Sequence, residues 1–227
     1  MIVRVLEELI AGFEKYLATQ ARTSDEPLLF YENTQHFQKN WAEPVNALPD
    51  TLKRAVYNTQ SKRFWYKPRE ILIAFASFNE EFTGLMLRDL FNETKALSGR
   101  IERFKYYCDT LLGELQEMDR KFPSDHFQTT EVIYFYLAMR FPEEYAVYQH
   151  KHFVKTLILL SAKDIPVVFD PERFYKSAKI FNKYLKDNPL IDKHIEALLK
   201  GTNTFGLQNM LRVTYFCWYC DNIHNNT

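Results

Sequence analysis

Apolar side chains recur at the spacing of an α-helix in one segment after another of this chain, and this pattern restricts the fold most. The clearest case lies within residues 95–121, where apolar positions alternate with charges at helical spacing. These positions are Ile101, Phe104, Cys108, Leu111, Leu112, Leu115 and Met118. The same spacing predicts amphipathic helices over residues 2–21 and 173–186.

Glycine is scarce, with 6 residues among 227. Tight hairpins depend on residues that tolerate positive φ, so few glycines favour long helices. Asn79 and Asp170 have the side chains of helix N-caps, and Pro44 and Pro49 indicate a loop break near residues 42–50. We therefore predict a mainly α fold, a single irregular multi-helix domain over residues 1–227 with room for one short hairpin. Residues 51–69 are expected to be irregular or weakly helical. The aromatic tail at 207–220 fits either helix or strand, because its Val, Tyr, Phe and Trp content favours strand, and we favour helix.

The charges balance, with 29 Lys and Arg against 29 Asp and Glu. A neutral chain has no overall field that attracts nucleic acid, so such binding requires a local patch. The three cysteines are too few for a disulfide framework and indicate a reducing compartment. No apolar stretch approaches the about 20 residues that cross a bilayer. We expect a cytoplasmic chain with no membrane partner.

Sequence motifs for catalysis are absent. The chain has no phosphate-binding loop, dinucleotide fingerprint, nucleophile elbow or His-Glu-x-x-His helix. Cys217 and Cys220, followed by His224, have part of a zinc spacing, but a structural zinc site needs four ligands. We therefore predict buried free thiols, with no metal, no cofactor and no catalytic residue.

The most distinctive polar feature is a run without acidic residues at 51–69, with Phe64-Trp65-Tyr66 among its cations. Cations neutralise phosphates and exposed rings stack on bases, so the run predicts a nucleic-acid interface. The alternative is that the rings pack under the next helix while the cations form a solvated rim. The expected contact residues are Lys62, Arg63, Trp65, Lys67 and Arg69, with Arg100 and Arg103 as a second group.

Four segments share a pattern with a known family. They are YKPREILI at 66–73, LFNE at 90–93, LSGRIERF at 97–104 and IYFYLAMRFPEEYAVY at 133–148. The last is the most specific, because a helix with Arg140 leads into an aromatic-proline turn and a Tyr-rich segment. Over about residues 63–186 the chain resembles the N-terminal helical region of McrB-like AAA+ ATPases, the motor subunits of modification-dependent (type IV) restriction systems.

The resemblance implies a front module that recognises a target or regulates a motor in anti-phage defence. Such modules in relatives bind DNA, some by flipping a modified base, but their folds vary and no residue role transfers. The AAA+ motor with its phosphate loop is missing from this sequence. The resemblance therefore implies either a chain cut before the motor or a stand-alone relative. The motor, in cis or in trans, and its nuclease subunit are the implied partners.

Three functions remain open from the sequence. The first is a DNA-recognition module for modified or plain DNA that acts through the basic-aromatic run. The second, favoured by the neutral charge, is a protein-interaction or regulatory module that senses a partner or scaffolds the motor. The third is an enzyme with unfamiliar chemistry, which would require a pocket where His150, His152 and Glu144 converge.

Overall fold

The computed structural model describes residues 3–20, 26–41, 47–56, 63–199 and 209–222. Within these ranges the regular structure is entirely α-helical, which confirms the mainly α prediction, and no hairpin is present there. The helices are α1 (Val3–Thr19), α2 (Glu26–Asn40), α3 (Leu48–Ala55), α4 (Tyr66–Phe78), α5 (Glu80–Leu90), α6 (Leu97–Met118), α7 (Thr130–Arg140), α8 (His150–Leu159), α9 (Pro171–Lys186), α10 (Pro189–Leu198) and α11 (Leu211–Asn222). None of the helices in the described ranges has the length and apolarity to cross a membrane.

The chain divides into two compact units. The terminal unit comprises Met1–Gln35 and Phe141–Thr227, and the middle unit comprises His36–Arg140. The expectation of a single domain over residues 1–227 stays a prediction.

Two helices of the middle unit, α3 and α5, begin with side-chain caps, and the sequence predicted the cap of α5. The Oδ1 atom of Asn79 accepts a hydrogen bond from the Phe82 amide at 3.0 Å, which confirms Asn79 as the N-cap of α5. Glu80 also caps α3, because its carboxylate accepts from the Leu48 amide at 2.6 Å. Pro49 lies in the first turn of α3, where proline is well tolerated. The expected loop break is therefore wrong at residues 48–50, and residues 42–46 lie outside the described ranges.

The described residues of the run 51–69 include regular helix, which was one of the two structures expected for it. Helix α3 continues to Ala55 and α4 begins at Tyr66, so described residues at both ends of this run are helical. The two helices pack against each other, and the buried side of α3 includes Leu48, Leu52 and Ala55. A short helix can persist there because this tertiary packing adds to its weak local propensity.

The terminal unit is organised around α11. Most residues of this helix are buried, including the polar Arg212 and Thr214, and it packs on α8, α9 and α1. Phe13 of α1 contacts the rings of Tyr215, Phe216 and Tyr219 at centroid distances of 5.4–5.8 Å. The helical prediction for the C-terminal tail is confirmed over the described residues, since packing outweighs the β-propensity of these aromatic residues.

Candidate functional site

Trp65, the central aromatic residue of the basic run, belongs to the core of the middle unit. Trp65 is only 2% exposed and stacks on Phe135 of α7, with ring centroids 4.8 Å apart. Phe64 meets both rings edge-on, at 5.0 Å from Trp65 and 5.8 Å from Phe135. A ring enclosed in this way offers no face to a base. The structure therefore assigns Trp65 to core packing, which corrects the expectation that its ring faces water.

Arg69 anchors the end of α3. Its Nε donates to the Val56 carbonyl at 2.6 Å, and one terminal nitrogen donates to the Lys53 carbonyl at 2.8 Å. The last carbonyls of a helix lack partners within the helix, so a guanidinium placed there satisfies them. Arg69 also forms an ion pair with Glu70. These contacts correct the expectation that Arg69 is a cation open to a ligand.

The two arginines of the second group join α5 to α6. Arg100 is 2% exposed, donates to the Leu90 carbonyl at 2.8 Å and pairs with Glu93. The Nε of Arg103 donates to Asp89 at 2.7 Å. Partial burial raises the pKa of Asp89, but hydrogen bonds from Arg103 and Lys95 hold that pKa below its ordinary value. Both arginines thus act within the fold, and Arg100 in particular is not available at the surface.

The remaining cations of the run do not form a single open patch within the described ranges. Lys67 is exposed, and its Nζ lies 5.0 Å from the centre of the Phe127 ring. Arg54 is exposed on α3, whereas Lys53 beside it pairs with Asp50 at 3.1 Å. Arg63 is partly exposed. Lys62, also expected in the interface, lies outside the described residues.

The polar residues weighed for catalysis bind separate partners. His150 shares a hydrogen bond with the Tyr148 hydroxyl at 2.5 Å, and the Nδ1 of His152 lies 2.8 Å from Asp221. Glu144 accepts from Lys179 of α9 at 2.5 Å and from the Tyr175 hydroxyl at 3.3 Å. These side chains are bound to different structural partners. Their arrangement therefore gives no support to a site where His150, His152 and Glu144 act together as acid and base.

The cysteines are enclosed side chains. Cys108, Cys217 and Cys220 are all buried and free. Burial raises the pKa of Cys217 to about 12 and also raises the pKa values of the other two thiols. Within the described ranges no cluster of three or more His, Cys, Asp or Glu side chains could hold a metal ion. His224 lies outside those ranges.

Thiol reactivity tests this burial directly. We expect the native protein to react very slowly with an aromatic disulfide reagent at mildly alkaline pH, because its thiols are both shielded and protonated. In denaturant, the same reagent should titrate all 3 cysteines rapidly. Rapid reaction of any thiol in the native protein would contradict the buried placement.

An open apolar groove lies in the terminal unit, and we call it the α8 groove. It encloses about 510 Å³. It is lined by His150, Lys151, Val154, Lys155, Ile158, Ile165, Pro166, Val167 and Asp221. Ile158 is 52% exposed and Val167 is 92% exposed, and the neighbouring Val168 is 73% exposed. Its volume is within the range of ligand pockets, and its exposed aliphatic side chains are of the kind that interfaces cover.

The loop beside the α8 groove starts with a defined helix end. Ser161 has a φ of 50°, in the left-handed region, and follows Leu160, the C-cap residue of α8. The Ala162 amide donates to the Leu157 carbonyl at 3.0 Å, and the Ser161 amide donates to the Ile158 carbonyl at 2.9 Å. This pair of bonds is the Schellman arrangement, which reverses the chain direction at a helix C-terminus.

Two further contacts hold the same loop. Arg173 of α9 donates to the carbonyl of Asp164, and the Phe169 ring meets the Tyr148 ring edge-on at 4.3 Å. The loop is therefore attached on both sides of Val167 and Val168, which project from it. No motif in the sequence pointed to this site, although the apolar run IPVVF at 165–169, between two helices, was a usable signal.

The polar side of the α8 groove carries an ion cluster. Asp221 of α11 lies 2.9 Å from the Lys151 Nζ and 2.8 Å from the His152 Nδ1. Burial raises the pKa of Asp221, but the hydrogen bonds from Lys151 and His152 outweigh it and keep the pKa below its ordinary value. Lys155 lies one helical turn beyond Lys151 and pairs with no carboxylate in the described part of the chain. The groove thus combines an aliphatic floor with a cationic edge.

The chain matches no protein-family model, no curated protein and no solved structure.

Proposed function

We propose that this chain is a non-catalytic recognition module that binds a protein partner through the α8 groove. The observation that carries the proposal is the exposure of three aliphatic side chains beside an open groove. Ile158 belongs to α8, and Val167 and Val168 belong to the following loop, which is held in place. Covering aliphatic side chains that are exposed to water at a concave surface lowers the free energy, and this favours binding of a partner.

The resemblance to McrB-like ATPases supports the setting of this proposal. A front module attached to, or working with, an AAA+ motor has to engage a target or a regulator, and a protein-binding groove provides one means to do so. The neutral charge of the chain fits a protein partner better than a polyanion. The proposal includes membership of that family and a role in restriction. It also includes the motor and its nuclease as partners.

A displayed library of random peptides tests the groove. We expect wild-type protein to select peptides, and the double variant Val167→Glu with Val168→Glu to lose at least tenfold in affinity for them. The reason is that each new carboxylate would lose its water when the peptide covers it, and no cation or hydrogen-bond donor at this apolar contact would compensate for the loss. Affinity is measured by fluorescence anisotropy with the selected peptides.

The matched control is Leu85→Glu, which changes an exposed apolar residue on α5 of the middle unit. This variant should bind the selected peptides as well as wild type does. If no peptide is selected, or if the valine double variant binds them unchanged, the proposal fails.

DNA binding is a second candidate function, favoured by the exposure of Arg54 and Lys67 in a run without carboxylates. In this case Lys62→Ala combined with Arg63→Ala should weaken binding to a DNA duplex and reduce its dependence on salt, because fewer counterions are released. The measurement is anisotropy with methylated and unmodified duplexes over a salt series. Unchanged binding in the double variant would remove Lys62 and Arg63 from the interface, and unchanged binding after Arg54→Ala with Lys67→Ala would remove the rest of the run.

A further inference from the structure

The charges around the α8 groove are asymmetric. Its lining contains two lysines, Lys151 and Lys155, and a single carboxylate, Asp221. Asp221 already lies within 3 Å of both Lys151 and His152. Its negative charge is therefore compensated, and Lys155 leaves the edge of the groove with an excess of positive charge.

The spacing along α8 places cationic and apolar residues side by side. Lys151 and Lys155 are four residues apart, as are Val154 and Ile158, so each pair forms a ridge along one face of the helix. The side chains of Ile165, Pro166 and Val167 complete the apolar side. A ligand that covers the Val154 and Ile158 ridge comes within reach of the flexible Lys155 ammonium.

From this arrangement we propose that the partner of the α8 groove is a peptide segment that carries acidic residues next to apolar ones. Its apolar side chains cover Ile158 and Val167, and a carboxylate pairs with Lys155. This inference rests on the proposed function and adds the chemistry of the partner to it. A carboxylate at the cationic edge contributes specificity and a faster, salt-dependent association, while the apolar contact contributes most of the affinity.

The test uses the full chain and the same random peptide library. We expect wild-type protein to enrich peptides with Asp or Glu adjacent to apolar residues. Lys155→Glu should bind these peptides at least tenfold more weakly and should instead enrich peptides with Lys or Arg at that position. Lys155→Ala should give an intermediate loss, and the wild-type association rate should fall as salt is raised.

The control is Lys176→Glu, which reverses an exposed lysine on α9 outside the groove lining and should leave the affinity unchanged. Thermal unfolding of each variant confirms that the fold is retained. Peptides without an acidic excess, or equal affinity in Lys155→Glu, would overturn the inference. If Val167→Glu with Val168→Glu still abolished peptide binding in that case, the proposed function would stand.

Binding to two polyanionic ligands is measured in separate experiments. Vesicles that contain phosphatidylserine and an unmodified DNA duplex are measured against wild type and Lys155→Glu. The inference and the proposed function would both be overturned if no peptide were selected and if vesicles or DNA bound in a way that depends on Lys155. The groove would then bind an anionic surface or polymer. Absence of such binding together with acidic peptides would support the inference.

Discussion

Replacing Arg212 with alanine is expected to lower the free energy of unfolding by about 3–5 kcal/mol. Arg212 is fully buried in the terminal unit, where its guanidinium pairs with Asp192 of α10 at 2.7 Å and donates to the Asn209 carbonyl at 2.9 Å. Burial raises the pKa of Asp192 even though Arg212 opposes this shift. Without the arginine, a half-buried carboxylate and a buried carbonyl lose their partner, which accounts for the large cost.

Urea unfolding followed by circular dichroism measures this loss. The matched control is Arg4→Ala, because Arg4 pairs with Glu8 at 3.2 Å on the exposed face of α1. Such an exposed pair contributes only about 0–1 kcal/mol. The double variant Arg212→Met with Asp192→Asn should recover part of the loss, since it removes both charges together. Similar losses in Arg212→Ala and Arg4→Ala would contradict the buried pairing.

Replacing Trp65 with alanine is expected to cost about 3–5 kcal/mol of stability, the usual range for large aromatic side chains removed from a core. The loss has two sources, the cavity left beside Phe135 and the missing stack between the two rings. The measurement is again the midpoint and slope of urea unfolding. The exposed neighbour Lys67 is the control, and Lys67→Ala should change stability by no more than about 0.5 kcal/mol.

This pair of variants also separates packing from ligand contact. If Trp65 acted mainly as a base-stacking residue, its alanine variant would keep normal stability and lose only DNA affinity. That outcome would contradict the enclosed position of the ring. The structure leads to the opposite expectation, in which any loss of binding in Trp65→Ala follows from loss of the fold.

Local signals in the sequence predicted much of the helical structure. Asp170 caps α9 by accepting from the Arg173 amide at 2.9 Å, and Asn79 caps α5, because capping depends on residues a few positions apart. The apolar spacing of α6 likewise predicted its buried face from Ile101 to Leu112. It was wrong for Met118 at the end of the helix, which is 73% exposed. The sequence predicted at most weak helix in the region of α3 and did not give its bounds, because much of the support for this helix comes from distant residues, namely the Glu80 cap and the Arg69 anchor.

The candidate site was harder to predict for the same reason. The burial of Trp65 depends on Phe135, which is distant in sequence and reaches the tryptophan only through the fold. The α8 groove combines α8, the loop that follows and the end of α11, and no local pattern brings these three segments together. A run of cations and aromatics shows which chemical groups are available, whereas their exposure is decided by tertiary packing.

The attachment of the loop after α8 has a consequence for binding affinity. With Ser161 fixed in the helix end, Asp164 held by Arg173 and Phe169 set against Tyr148, the valines between them are already ordered before a partner arrives. Little conformational entropy then remains to be lost from this side of the complex on association. If a partner covers the α8 groove as proposed, we therefore expect even a short segment with few contacts to bind with measurable affinity.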